Sequence, residues 1–185
     1  MTGTSEPAAI SPFTIRVLAT GGTIEKTYDA ARGALTLDVP VLDHLLAELR
    51  QPDVDLRLER VMAMDSLDMD ADDRGRIVAA VATTMAAADC HAVLITHGTD
   101  TLADTAAALI EGLEQLSIPV VLTGAMVPYR VADSDALQNM AQALMACRLL
   151  APGVYTAFHS RVIPGDRIVK DYEHLTMIEA QPRSG

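Results

Sequence analysis

The chain has 185 residues and a formal charge of -11; half its residues are hydrophobic, only 3% are aromatic, and tryptophan is absent. That length buries one sizeable core, built from Ala, Val, Leu, Ile and Met, and leaves little room for a second domain. The acidic balance excludes nucleic acid and anionic membranes as general partners, because phosphate binding requires clustered Lys and Arg.

The opening "MTGTSEPAAISP" is polar and contains proline, with neither a basic start nor an apolar signal core, so residues 1–13 read as a flexible tail. "FTIRVLA" reads as a buried strand and runs into Thr20-Gly21-Gly22-Thr23. Glycines at a strand end let the backbone turn sharply and let a ligand approach the main chain. Three uses fit that turn: a phosphate cradle, a plain turn, or a hydroxyl offered to a substrate. The third glycine of G-x-G-x-x-G and the G-K-[ST] of a P-loop are both absent. "EKTYDAARGALTL" then reads as a hairpin turning near Arg32-Gly33.

Val41, Leu42, Leu45, Leu46 and Leu49 recur at helical spacing, and the strand-like "VDLRLERVMA" follows. Asp70 is placed to cap the helix "DADDRGRIVAAVATTMAAA", with further acids in its first turn. "HAVLIT" and "PVVLT" are continuous apolar strands, separated by the helical "TLADTAAALIEGLEQL". "SDALQNMAQALMACRLL" reads as a helix started by Ser134 or Asp135, "GVYTAFHS" as a strand, and the stretch after Ser160 as a loop with one short strand.

Continuous rather than alternating apolar strands imply burial on both faces, which a parallel sheet covered by helices provides. The expected fold is an open, doubly wound, mostly parallel α/β sheet with helices on both faces, one domain over residues 14–185. In such sheets ligands bind beyond the carboxyl ends of the strands. Those ends read "TGGT", "MDSLDMD", "THGTDT" and "TGAMVP". Thr99 and Asp100 either face a ligand there or cap the following helix. Cys90 and Cys147 read as free thiols, His97 and His159 as packed, hydrogen-bonded histidines, and no metal spacing occurs. No apolar run approaches the roughly 20 residues of a membrane span, so the expected compartment is the cytoplasm.

In order, "ATGGTI", "MDSLDM", "ITHGTDT", "VVLTGAMVP" and "GDRIVK" resemble the bacterial-type L-asparaginase family, which includes glutaminases and an amidotransferase subunit. The likeness runs from about Thr14 to Lys170. It implies hydrolysis of L-asparagine to L-aspartate and ammonia without a cofactor, with Thr23 as the acylated nucleophile. Thr99, Asp100 and Lys170 match the set in which lysine assists deprotonation, and Tyr28 matches a supporting tyrosine. Ser66 matches a contact to the substrate carboxylate, Asp100 also a partner of its amine, and Ala125 a carbonyl contact to its amide. Main-chain N–H groups around Gly22 and Gly98 are the expected oxyanion donors. A glutaminase or other small-amide hydrolase, and a non-catalytic amide sensor, are the alternatives. Family chains are nearly twice as long and carry a second α/β domain. The expectation here is a short, single-domain form that self-associates, as a homodimer or higher homo-oligomer.

Overall fold

In the computed structural model, which describes residues 12–37 and 41–180, the continuous apolar runs Ala92–Thr96 and Pro119–Thr123 are buried along their whole length. They are strands β5 and β6 of a six-stranded sheet. Before them come β1 (Phe13–Gly21), β2 (Thr27–Asp29), β3 (Ala34–Thr36), α1 (Leu42–Glu48), β4 (Val54–Met64) and α2 (Ala71–Ala87). Helix α3 (Leu102–Gly112) joins β5 to β6. After β6 come α4 (Ala136–Leu149), β7 (Gly153–Phe158), β8 (Arg161–Pro164), β9 (Ile168–Asp171) and β10 (Thr176–Glu179). Of the expected tail, residues 1–11 lie outside the described residues, and Phe13 opens β1. Residues 39 and 40 of the first helical stretch also lie outside them.

The sheet order is β4-β1-β5-β6-β7-β8, with β8 antiparallel to β7 and all other neighbours parallel. One face is covered by α1 and α4 through Leu42, Leu45, Met140 and Leu144, packed on Ile15, Val17 and Leu94. The other is covered by α2 and α3 through Ile77, Val81, Leu102 and Leu109, packed on Leu18, Val93 and Ile95. Helices therefore lie on both faces, as the apolar strands required. From β1 the chain goes outward to β4 on one side and returns to β5 on the other. The crevice of such a sheet opens at that reversal, beyond the ends of β1 and β5.

Helix α2 begins as expected. The Asp70 carboxylate accepts from Asp73 N at 3.0 Å while Asp73 reaches back to Asp70 N. Helix α3 stops at Gly112, short of the periodic Leu116, because the chain must leave the helix to enter β6 at Pro119; Leu116 packs on the core from the connection. The stretch after Ser160 differs more. It forms three short strands, β8 along β7 and β9 paired antiparallel with β10. Each sends only one or two residues inward (Ile163, Ile168, Thr176 and Met177), too few for an alternation to show in the sequence. Cys147 is buried, which pushes its thiol pKa up, Cys90 is half-buried, and both are free. Among the described residues no helix is long and apolar enough to cross a membrane.

Candidate active site

The turn after β1 is built on two glycines with φ of 100° and 80°, a region side chains rarely enter. A Cβ on Gly21 would overlap the Met64 main chain, and one on Gly22 would overlap the Gly98 backbone. The "TGGT" and "HGT" loops therefore touch main chain to main chain, and this contact brings the end of β1 to the end of β5. Thr20 is fully buried and donates to the Thr96 carbonyl at 2.7 Å, so the first threonine of the turn is structural. Thr23 opens a short 3-10 turn, Thr23–Glu25, and is half-buried. Its hydroxyl has no hydrogen-bond partner among the described residues.

Gly98 is held from two sides. A Cβ there would run into the Ser66 side chain. Behind it the fully buried His97 bonds the Gly98 carbonyl through Nδ1 at 2.8 Å and Thr105 Oγ1 through Nε2 at 2.8 Å. A carbonyl only accepts, so the proton sits on Nδ1 and Nε2 accepts from the threonine. Desolvation lowers the His97 pKa from 6.5 to about 4. The fold thus disfavours the protonated ring, and stability present above pH 6.5 is lost as pH falls from there toward 4. The span corresponds to on the order of 3 kcal/mol. Urea unfolding of the wild type and His97→Gln at pH 7 and pH 4.5 checks this: the wild type should lose more stability on acidification, and equal losses would overturn it.

Thr99 and Asp100 do not cap α3. The N-cap is Thr101, whose hydroxyl donates instead to the Ser66 carbonyl at 2.8 Å. Thr99 and Asp100 turn toward Lys170 of β9. Lys170 shares a strand face with the buried Ile168, two residues earlier, and that alternation aims it inward. Its Nζ donates to Thr99 Oγ1 at 2.8 Å and to Asp100 Oδ1 at 2.8 Å. The Lys170 side chain is 13% exposed and that of Asp100 27%.

The remaining expected residues are distributed unevenly. Ser66 starts the 3-10 turn Ser66–Asp68 after β4; it is fully buried and its hydroxyl has no partner among the described residues. Ala125 is buried in the loop after β6. That loop is fastened from α4: Asp135 accepts from Met126 N and Val127 N at 3.0 Å, and Asn139 donates to the Gly124 carbonyl at 3.0 Å. Asp135 also pairs with His159 Nε2, which makes His159 a packed, hydrogen-bonded histidine as expected. Gly22 is corrected as an oxyanion donor, because its N–H already donates to the Met64 carbonyl at 3.1 Å. Tyr28 lies on the β2–β3 hairpin, which turns at Gly33, and is 67% exposed with no bond to Thr23, Thr99 or Lys170.

Tyr172, which the sequence reading passed over, stands closer to the charged groups. Its ring lies 4.8 Å from Lys170 Nζ and its hydroxyl 3.5 Å from Asp100 Oδ1. Lys26 and Asp65 were also passed over and form an ion pair at the edge of the site. The available signals were proximity to Thr23 for Lys26 and, for Asp65, its place in "MDSLDM" beside Ser66. No cluster of three or more His, Cys, Asp or Glu placed to hold a metal ion occurs among the described residues.

A family model for the N-terminal region of asparaginases matches residues 14–179. The chain belongs to the asparaginase family. It is 38% identical over 157 residues to an L-asparaginase of Thermococcus kodakarensis, covering 83% of this chain and 46% of that one. It is 34% identical over 164 residues to L-asparaginase 1 of Escherichia coli, covering 84% and 47%. The solved thermostable L-asparaginase from Thermococcus kodakarensis superposes with a TM-score of 0.76 at 30% identity, over 93% of this chain and 58% of that one. The chain thus spans about half the length of the curated asparaginases it matches.

Proposed function

We propose that the domain from residue 14 onward hydrolyses L-asparagine to L-aspartate and ammonia through an acyl ester on Thr23. The observation that carries this reading is Lys170 Nζ at 2.8 Å from both Thr99 Oγ1 and Asp100 Oδ1, on the loop whose Gly98 backbone meets Gly22, the residue before Thr23. A threonine hydroxyl is a weak nucleophile and needs a path for its proton. Thr99 and Lys170 supply that path across the Gly22–Gly98 contact.

In the first step Thr23 Oγ1 attacks the side-chain amide carbon, and its proton passes through Thr99 and Lys170 to the departing nitrogen. The C–N bond breaks and ammonia leaves. Water then attacks the ester carbon, the C–Oγ1 bond breaks, and a proton from that water passes to Thr23 Oγ1 as aspartate departs. With the Gly22 N–H engaged, the oxyanion donors in this reading are the main-chain N–H groups of Thr23 and Thr99. Asp100 receives the substrate amine. Ser66, whose buried hydroxyl has no partner among the described residues, receives the carboxylate. Ammonia release from asparagine, with glutamine in parallel, tests the reading in the purified chain. No ammonia from asparagine would sink it.

A further inference from the structure

Two strand ends carry the residues that must meet across this site: Thr23 after β1, and Ser66 after β4. Their shortest side-chain link is the ion pair between Lys26 and Asp65, 39 residues apart, with Nζ 2.5 Å from Oδ2 and side-chain exposures of 23% and 29%. Each partner is also tied to its own turn. Lys26 N donates to the Thr23 carbonyl at 3.1 Å and closes the 3-10 turn that Thr23 opens. The other oxygen of Asp65 accepts from Leu67 N at 3.1 Å, and the Asp65 carbonyl accepts from Asp68 N at 3.0 Å, so Asp65 shapes the turn that begins with Ser66.

We propose that Lys26 and Asp65 form a latch that sets Thr23 against Ser66, making Lys26 a positioning residue for the hydrolysis. This rests on the reading of Thr23 as nucleophile. The hairpin β2–β3 begins at Thr27, directly after Lys26, so the latch also fixes where the nucleophile turn ends and the exposed hairpin starts. The Lys26 ammonium holds the Asp65 carboxyl below the usual range, with a smaller contribution from Lys170. The pair therefore lies within the field of the catalytic lysine. A single ion pair still open in part to solvent adds modestly to stability, about 1 kcal/mol or less. Reactivity is far more sensitive to placement, since a displacement of about 1 Å can cost about a hundredfold in rate. Turnover rather than unfolding is thus the property that reports the latch.

The test uses Lys26→Met, Asp65→Asn, their double variant and Lys26→Arg in the full chain, with ammonia release measured across asparagine concentrations and urea unfolding alongside. Each of the first two should lower kcat about tenfold, with KM changed by less than about threefold and the unfolding midpoint unmoved. The double should be no worse than the poorer single, because both remove one contact. Lys26→Arg should retain most of the turnover. Additive losses in the double, an effect confined to KM, or unchanged kcat would overturn the latch. Thr23→Ala, measured in the same assay, keeps the two ideas separable. Hydrolysis surviving in that variant removes the nucleophile reading, whereas an inactive Thr23→Ala beside fully active Lys26→Met and Asp65→Asn removes the latch alone.

Discussion

Thr23→Ala is expected to lower asparagine turnover by about four orders of magnitude or more, since loss of the group that forms the covalent intermediate leaves only binding and electrostatic effects. The same change should leave stability within about 0.5 kcal/mol. No hydrogen bond among the described residues engages the Thr23 hydroxyl, and the residue is half-buried on a turn shaped by Gly21 and Gly22 rather than by its own side chain. Single-turnover ammonia release and a urea unfolding curve on the same preparation check both halves. Turnover above a few per cent of wild type would move the nucleophile to another hydroxyl, with Thr99 the first candidate because Lys170 already bonds it.

Lys170→Met is expected to reduce kcat about a thousandfold, within the range that a positioned proton-transfer group contributes. KM should change only a few-fold, because Asp100 remains to meet the substrate amine and methionine keeps the length of the lysine stem. The substitution deletes both 2.8 Å contacts of Nζ at once. Thr99, almost fully buried, would lose the ammonium that bonds its hydroxyl, while Asp100 is open enough for water to replace the lysine. Steady-state kinetics on asparagine separate the possibilities. A rise in KM alone would make Lys170 a binding group and place the base elsewhere.

These two expectations concern residues that reach the site by different routes, and the sequence revealed them unequally. The parallel sheet was legible because β5 and β6 are short, continuous apolar runs, which only two-sided burial explains. Asp70 was legible as a cap because its partner Asp73 is three residues away on the same turn. The strand-end positions of Thr23, Ser66, Thr99 and Ala125 followed from the same pattern, since loops beyond parallel strands gather at one edge. The likeness to asparaginases added their expected roles.

Other features depended on contacts that local patterns do not encode. Sequence alone left Thr99 and Asp100 open to capping α3; the tertiary structure turns both toward Lys170, about 70 residues further on. Lys170 is aimed there by β9, a strand too short and too exposed to register as periodic. The Gly22 N–H, an expected oxyanion donor, is occupied by the Met64 carbonyl of the neighbouring strand. Asp65 lies within "MDSLDM" and Lys26 in the hairpin stretch, but neither pattern links them, and only the side-by-side placement of β1 and β4 makes them a pair. What the sequence determined by itself was the order of elements and the set of strand ends, because hydrophobic periodicity and capping act over a few residues. What the tertiary structure decided was which polar groups meet, because hydrogen bonds and ion pairs between strand ends depend on register and approach distance across the sheet.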